Sequence, residues 1–228
     1  MSDTVFRDPG IPDGEKSVYA VSIADQRPTL DLVSVIGHDR DGYRSIIEAG
    51  SGDGNFSITI EQRFERAGDR LLAASYRAET RSRATVVSRE EANFLGTAHL
   101  QIGEGVAPFP TDLMPLAGGI TLLRGLDLVA GAEANIAMWL AFSVHIPLDV
   151  KVEHRGVIEV PAGGIDCWQI RLRPRLSGLN NMLAKVLSGF LPPAVVHIED
   201  AAPHRLVRFA FPTGPMPWDP RGQMELVT

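Results

Sequence analysis

Residues 157–172, VIEVPAGGIDCWQIRL, decide the fold. Apolar and polar residues alternate on both sides of the segment 161–164, whose Pro-Ala-Gly-Gly sequence is typical of a tight turn. No catalytic motif lies inside the stretch. It therefore predicts two antiparallel strands joined in a hairpin, and it identifies an architecture while leaving the chemistry open.

The same alternation recurs through the first hundred residues, separated by turns rich in Gly and Asp such as 39–42 and 50–54. This order predicts one hairpin after another and lacks the alternating helices of a parallel sheet. The predicted strands are 17–24, 29–37, 42–49, 55–66, 70–80, 83–88 and 94–102.

The middle of the chain has a different pattern. Residues 103–115 are rich in Pro and Gly and predict a long surface loop. Residues 114–127 are apolar with irregular spacing, which predicts a short helix broken by Gly118 and Gly119. We interpret the chain as one domain over 1–228, with 103–132 joining two half-sheets at 1–102 and 133–211.

The second half returns to long strands. Residues 133–146 and 148–160 each carry one apolar face, which predicts two strands with a turn around Pro147, and 195–199 and 206–211 follow as further strands. Residues 177–190 carry an apolar stripe at helical spacing and predict an amphipathic helix that either plugs or covers the concave face. An extended tail is expected at 212–221. Together these patterns predict an all-β fold: a strongly bent antiparallel sheet or near-closed barrel wrapped around one or two helices.

Composition excludes several classes of protein. The net charge of −6 argues against a nucleic-acid partner, and the single cysteine, Cys167, excludes an internal disulfide and a cysteine-based metal cage. No apolar run approaches the ~20 residues of a transmembrane helix. No signal peptide is visible at the first residues, so we expect a cytoplasmic protein, or an exported one if the sequence has been trimmed there.

Three short motifs resemble one bacterial family of unknown function, whose members share a lipoprotein-carrier-like, open β-barrel fold. They are FRDPGIPDGE at 6–15, VPAGGIDCW at 160–168 and APHRLVR at 202–208. The resemblance implies a bent sheet that closes around helices and leaves an apolar concavity. It implies no catalytic residues.

Among the histidines, His154 is the most informative because it falls on an otherwise apolar strand face. Either it is a core histidine satisfied by one hydrogen bond, or it transfers protons in a dry pocket where burial would lower its pKa. Tyr43 and Asp166 are the other candidate catalytic groups. No histidine pair has metal-ligand spacing and no cofactor fingerprint is present, so neither a metal nor a cofactor is expected.

The leading functional hypothesis is the binding of a hydrophobic small molecule, lipid or acyl chain in the concave face. A cofactor-independent, cyclase- or isomerase-like enzyme acting on a polyene or polyketide-like substrate in the same cavity is one alternative. A structural or assembly protein that takes up a partner strand is the other. The oligomeric state stays open. The expected ligand-lining residues are Trp139, Phe142, His154, Trp168, Met182, Val186 and Phe190.

Overall fold

The computed structural model describes residues 5–24, 30–101, 105–141, 144–175, 192–214, 216 and 218–228. Over these residues the chain is mostly β-structure, with a single short stretch of helical turns, which confirms the predicted all-β class. The strands are β1 Glu15–Ile23, β2 Leu30–Asp39, β3 Gly42–Gly50, β4 Phe56–Ala67, β5 Arg70–Ser82, β6 Thr85–Asn93, β7 Ala98–Gln101, β8 Gly105–Pro108, β9 Leu113–Pro115, β10 Glu133–Ala141, β11 Val144–Val160, β12 Gly163–Pro174, β13 Ala194–Glu199, β14 Leu206–Pro212 and β15 Arg221–Leu226. One short helix, α1 (Gly119–Leu122), lies between 3-10 turns at Leu116–Gly118 and Leu123–Gly125.

Thirteen of the described strands form one bent sheet, in the order β6-β5-β4-β3-β2-β1-β15-β14-β13-β12-β11-β10-β9. The first and last strands of this order do not pair with each other, so hydrogen bonds do not close the sheet. All neighbours are antiparallel except β9 and β10, which run parallel. The pairing of β1 with β15, with Tyr19 opposite Leu226, joins the N-terminal hairpins to the C-terminal ones. β7 and β8 form a separate hairpin.

The helical run 116–125, which comprises α1 and its two flanking turns, packs inside the bent sheet. Leu122 and Leu123 are buried, and Gly118 lies so close to β4 that a Cβ there would sit 3.0 Å from Gln62 Oε1. The predicted short helix is present, but the backbone of Gly118 and Gly119 is helical where a break was expected. These two glycines allow the run to approach its neighbours closely, and helical turns continue through them.

An ion pair fixes this run to the sheet. The side chain of Arg124 is only 1% exposed and donates two hydrogen bonds to Glu15 on β1, Nη1–Oε1 at 2.6 Å and Nη2–Oε2 at 3.0 Å. Its Nε also donates to the carbonyl of Pro203 at 2.8 Å. Such a bidentate ion pair provides hydrogen-bond acceptors for the buried guanidinium and sets the orientation of the run relative to β1.

The turn expected around Pro147 does not exist. Pro147 lies within β11, opposite Ala137. The backbone N–H of Ala137 points away from β11 and donates to Asp112 O. Ala137 and Pro147 therefore form a pair of opposite residues that exchange no hydrogen bonds, and β11 can include a proline there because no N–H is needed from it. β9 and β8 likewise occupy the stretch expected to be a loop. The predicted helix at 177–190 lies outside the described residues.

Breaking the buried ion pair should cost far more than breaking an exposed one. Arg124→Met is expected to lower the free energy of unfolding by about 3–5 kcal/mol, because it leaves Glu15 with an uncompensated charge. The control is Arg44→Met, which removes the exposed pair with Glu61 and should change stability by less than about 1 kcal/mol. Urea unfolding followed by circular dichroism measures both; equal losses would contradict this assignment.

Candidate functional site

The two ends of the large sheet approach each other along a line that we call the seam, between β5 on one side and β9 with β10 on the other. Aromatic rings close one part of it. Trp139 on β10 meets Tyr76 on β5 edge-on at 5.0 Å between ring centroids, and it meets Phe94 at 5.3 Å. Phe94 also contacts Phe109 at 5.3 Å. Side-chain packing therefore joins the sheet ends where hydrogen bonds do not.

Beside the aromatic cluster the seam opens into a cavity of about 750 Å³. It lies next to the first residues of β5 and β10, where β9, only three residues long, does not reach. We call it the seam cavity. Its lining residues are Val5, Phe6, Arg7, Asp69, Arg70, Leu71, Leu72, Thr111, Asp112, Leu126, Asp127, Ala132, Glu133, Ala134, Asn135, Val150 and Val152.

The N-terminal residues form the wall opposite β10. Leu71 N–H donates to Phe6 O at 2.9 Å, and Arg7 N–H donates to Gly125 O at 2.8 Å, so this segment runs between β5 and the helical run. Gly125 permits that approach, since a Cβ there would sit 2.0 Å from Arg7 O. The position of the wall thus depends on a glycine.

Asp8 anchors the same wall. Its carboxylate accepts hydrogen bonds from the hydroxyl of Tyr43 and from the guanidinium of Arg66, and Gly10 N–H donates to it at 3.0 Å. Burial acts to raise the pKa of Asp8, but these hydrogen bonds and the Arg66 charge outweigh it and lower the pKa. The Tyr43 hydroxyl also accepts from Ile11 N–H at 3.0 Å, and burial together with Asp8 raises the pKa of Tyr43. Tyr43 therefore holds the N-terminal segment in place.

The seam cavity combines an apolar floor with a charged rim. The floor consists of almost fully buried and of partly accessible apolar residues. The former are Phe6, Leu71, Leu126, Val150 and Val152, and the latter are Val5, Leu72, Ala132 and Ala134. The rim carries more carboxylates than guanidinium groups, although Lys151 pairs with Glu133 at 3.1 Å. Its charged residues are Asp69, Asp112, Asp127, Glu133, Arg7 and Arg70. Such a site can take an apolar body while hydrogen-bonding a polar group.

His154 does not lie on an apolar face as expected. The pairing of β11 with β12 shifts register between Val152 and Arg155, where two residues of β11 lie opposite Gln169 alone. This bulge interrupts the alternation of buried and exposed side chains along β11, and His154 is exposed. Sequence periodicity cannot reveal such a bulge. The predicted location of His154 in a dry pocket, where it could transfer protons, is therefore wrong.

The other predicted residues lie in separate places. Trp139 belongs to the aromatic cluster of the seam, whereas Trp168 on β12 is half-buried and donates its indole N–H to Asp200 Oδ1 at 2.7 Å. The side chain of Asp166 is 61% exposed, 3.9 Å from Arg155. The catalytic candidates Tyr43, His154 and Asp166 lie on β3, β11 and β12, and the hydrogen bonds and ion pairs of the described residues join no two of them. Phe142, Met182, Val186 and Phe190 lie outside the described residues.

A polar row that the sequence did not reveal crosses β11, β12 and β13. Glu153 accepts from Gln169 Nε2 at 2.6 Å and pairs with Arg171 at 2.6 Å, and His197 Nε2 lies 3.3 Å from Gln169 Oε1. Burial, with a smaller contribution from Arg208, lowers the pKa of His197 to about 4. This histidine is therefore neutral at physiological pH. Cys167 is buried as well, and burial raises the pKa of its thiol to about 12, which makes it unreactive.

Among the described residues, no group of three or more His, Cys, Asp or Glu side chains could hold a metal ion. In the same part of the chain, no helix has the length and apolar character needed to cross a membrane.

No family model matches the chain, and no curated protein matches it in sequence. One similar solved structure is a candidate exported protein with a YmcC-like fold from Bacteroides fragilis, 10% identical, with a TM-score of 0.36 and 98% of each chain covered. Another is a candidate lipoprotein from Parabacteroides distasonis, 10% identical, with a TM-score of 0.34 and 99% of each chain covered. We draw no functional argument from likeness at this level.

These descriptions nevertheless contradict one expectation. Both matched proteins are described as exported or as lipoproteins, which conflicts with the cytoplasmic location expected from the sequence, and we withdraw that prediction. The resemblance to a lipoprotein-carrier barrel is not confirmed.

His197 should make stability depend on pH. Its folded pKa of about 4 lies below the ordinary histidine value of 6.5, so the unfolded chain binds more protons than the folded chain as the pH falls from about 6.5 to about 4. Stability should therefore decline through this window, and His197→Gln should flatten the decline. The measurement is urea unfolding at intervals from pH 7 to pH 4. An unchanged slope in His197→Gln would contradict the assignment.

Gly125→Ala should destabilise the wall of the seam cavity. The added Cβ would overlap the Arg7 backbone and force the N-terminal segment away, at a cost of about 2–3 kcal/mol. Gly156→Ala is the matched control, because nothing lies within 4 Å of a Cβ at that position. Urea unfolding compares the two, and equal stabilities would show that the contact at Gly125 is unimportant.

Proposed function

We propose that this protein binds an elongated amphiphilic ligand in the seam cavity and acts without chemically changing it. The observation that carries the proposal is a cavity of about 750 Å³ with a charged rim and a floor of which some apolar residues are accessible. This volume falls within the range of about 300–1,000 Å³ typical of small-molecule sites.

The ligand is placed at the seam and not deeper inside the sheet. The helical run 116–125 already occupies the interior, and Leu122 and Leu123 are almost fully buried there. The hydrophobic molecule or acyl chain expected from the sequence would instead lay its apolar part on Val5, Leu72 and Ala134, which line the cavity and keep accessible apolar surface for a ligand to bury.

The rim selects the polar part of the ligand. Carboxylates outnumber guanidinium groups around the opening, and Asp112 and Asp127 lie on the two segments that flank the start of β10. We therefore expect a cationic head group to bind more tightly than a neutral one, and an anionic head group to bind least well.

A binding role fits these residues better than catalysis. A cofactor-independent reaction would require an ionisable group tuned for proton transfer and directed at the ligand. Asp8, Tyr43 and His197, whose pKa values the fold shifts, do not line the seam cavity. Binding needs only the floor and the rim.

The test uses three probes that share one dodecyl chain: dodecylammonium, dodecanol and dodecanoate, each below its micellar concentration. Isothermal titration calorimetry should give affinities in that order. The double variant Asp127→Asn/Glu133→Gln should weaken dodecylammonium about threefold or more, through lost charge attraction, and leave dodecanol unaffected.

The control for this experiment is Glu90→Gln/Glu91→Gln on β6, which removes the same charge from exposed positions outside the cavity lining. It should bind all three probes as the wild type does. Failure of every probe to bind would refute the proposed function, and equal weakening in both double variants would show that only net charge matters.

A further inference from the structure

Within the part of the chain that the structure describes, one edge of β10 has no strand partner where it borders the seam cavity. β9 pairs with β10 only from Ala137 to Trp139, and Ala137 N–H donates to Asp112 O at 3.1 Å. Because alternate residues of a strand direct their N–H and C=O groups to the same edge, Glu133 and Asn135 direct theirs as Ala137 does, toward the seam. The opposite edge is occupied by β11, which pairs Ala134 with Val150.

The described strands include none that pairs with Glu133 or Asn135 on the seam side. Two backbone donors and two acceptors thus border the cavity without a strand partner. An alkyl chain cannot form hydrogen bonds with these groups, whereas an extended polypeptide can form hydrogen bonds with all four. We infer that the ligand of the seam cavity is an extended peptide segment that pairs with the start of β10, in line with β9 and on the same edge. This inference rests on the proposed function.

The other free edge of the sheet is built differently. β6 exposes a charged segment that includes Arg89, Glu90 and Glu91, and charged side chains on an edge strand discourage pairing with another chain. At the start of β10 the unpaired edge instead lies beside a cavity and between small residues, Ala132 and Ala134. This edge therefore has room for a further strand.

The walls define the chemistry of the peptide. Glu133–Ile136 spans four residues, or ~13 Å of extended chain. In a strand added there, alternate side chains point to opposite faces of the sheet, one set on the face of the small apolar residues Ala132 and Ala134 and the other on the face of Glu133. The site therefore fits a segment in which bulky apolar residues alternate with Lys or Arg, complementary to the acidic excess of the rim.

The experiment measures binding of a fluorescent peptide, acetyl-(Lys-Val)₃-amide, to the full chain by fluorescence anisotropy. Two isomers carry N-methyl groups, either on all lysines or on all valines. In a bound strand, either the lysines or the valines direct their N–H groups toward β10. The isomer that is methylated on those residues should bind at least tenfold more weakly, whereas the other isomer should bind like the parent peptide. Dodecylammonium should displace the parent peptide.

A protein variant tests the same contact from the other side. Asn135→Pro deletes one N–H that is directed to the seam and so should spare the β10–β11 pairing. It should weaken the peptide at least tenfold while dodecylammonium still binds. If this variant does not fold by circular dichroism, the two N-methyl isomers decide the question.

The outcomes separate the inference from the proposed function. Binding of dodecylammonium without binding of the peptide would overturn the peptide inference alone. Equal affinities of the two N-methyl isomers would overturn it as well, because the contact would then not be a strand pairing. Failure of both probes to bind would overturn both proposals.

Discussion

The structure depends on how a sheet of thirteen strands protects two ends that do not hydrogen-bond to each other. An exposed sheet edge invites pairing with other chains, and full closure into a barrel would remove it. Here the ends are joined by packing. Trp139, Tyr76 and Phe94 interlock across the seam, and the helical run 116–125 fills the space behind them.

This kind of closure connects distant parts of the chain. The helical run keeps its place because Arg124 pairs with Glu15 on β1 and because Gly125 admits the backbone of Arg7. Arg7 in turn belongs to a segment whose next residue, Asp8, is held by Tyr43 on β3. Of these contacts, the buried Arg124–Glu15 pair should cost most to break, because a buried charge left without its partner has no water to replace it.

The sequence predicted the strands well because their residues alternate with period two and are separated by turn residues, as at 161–164. It failed where tertiary contacts decide the outcome. Pro147 continues β11 because its partner Ala137 needs no hydrogen bond from it, and the bulge after Val152 reverses the alternation before His154. The seam cavity was unpredictable for a related reason. Its lining comes from five or more short segments between Val5 and Val152, and none carries a motif of its own.

An apolar floor and unpaired backbone groups favour different ligands when each is considered alone. The floor would accept any hydrocarbon, but an alkyl chain laid across Glu133 and Asn135 would desolvate their N–H and C=O groups without replacing the lost hydrogen bonds. Each such group costs about 1–3 kcal/mol when it is buried unpaired. That penalty opposes the gain from burying a few methylene groups, at roughly 0.8 kcal/mol each. A ligand that brings its own amides avoids the penalty and keeps the apolar contacts, so the free edge of β10 favours a peptide over a lipid.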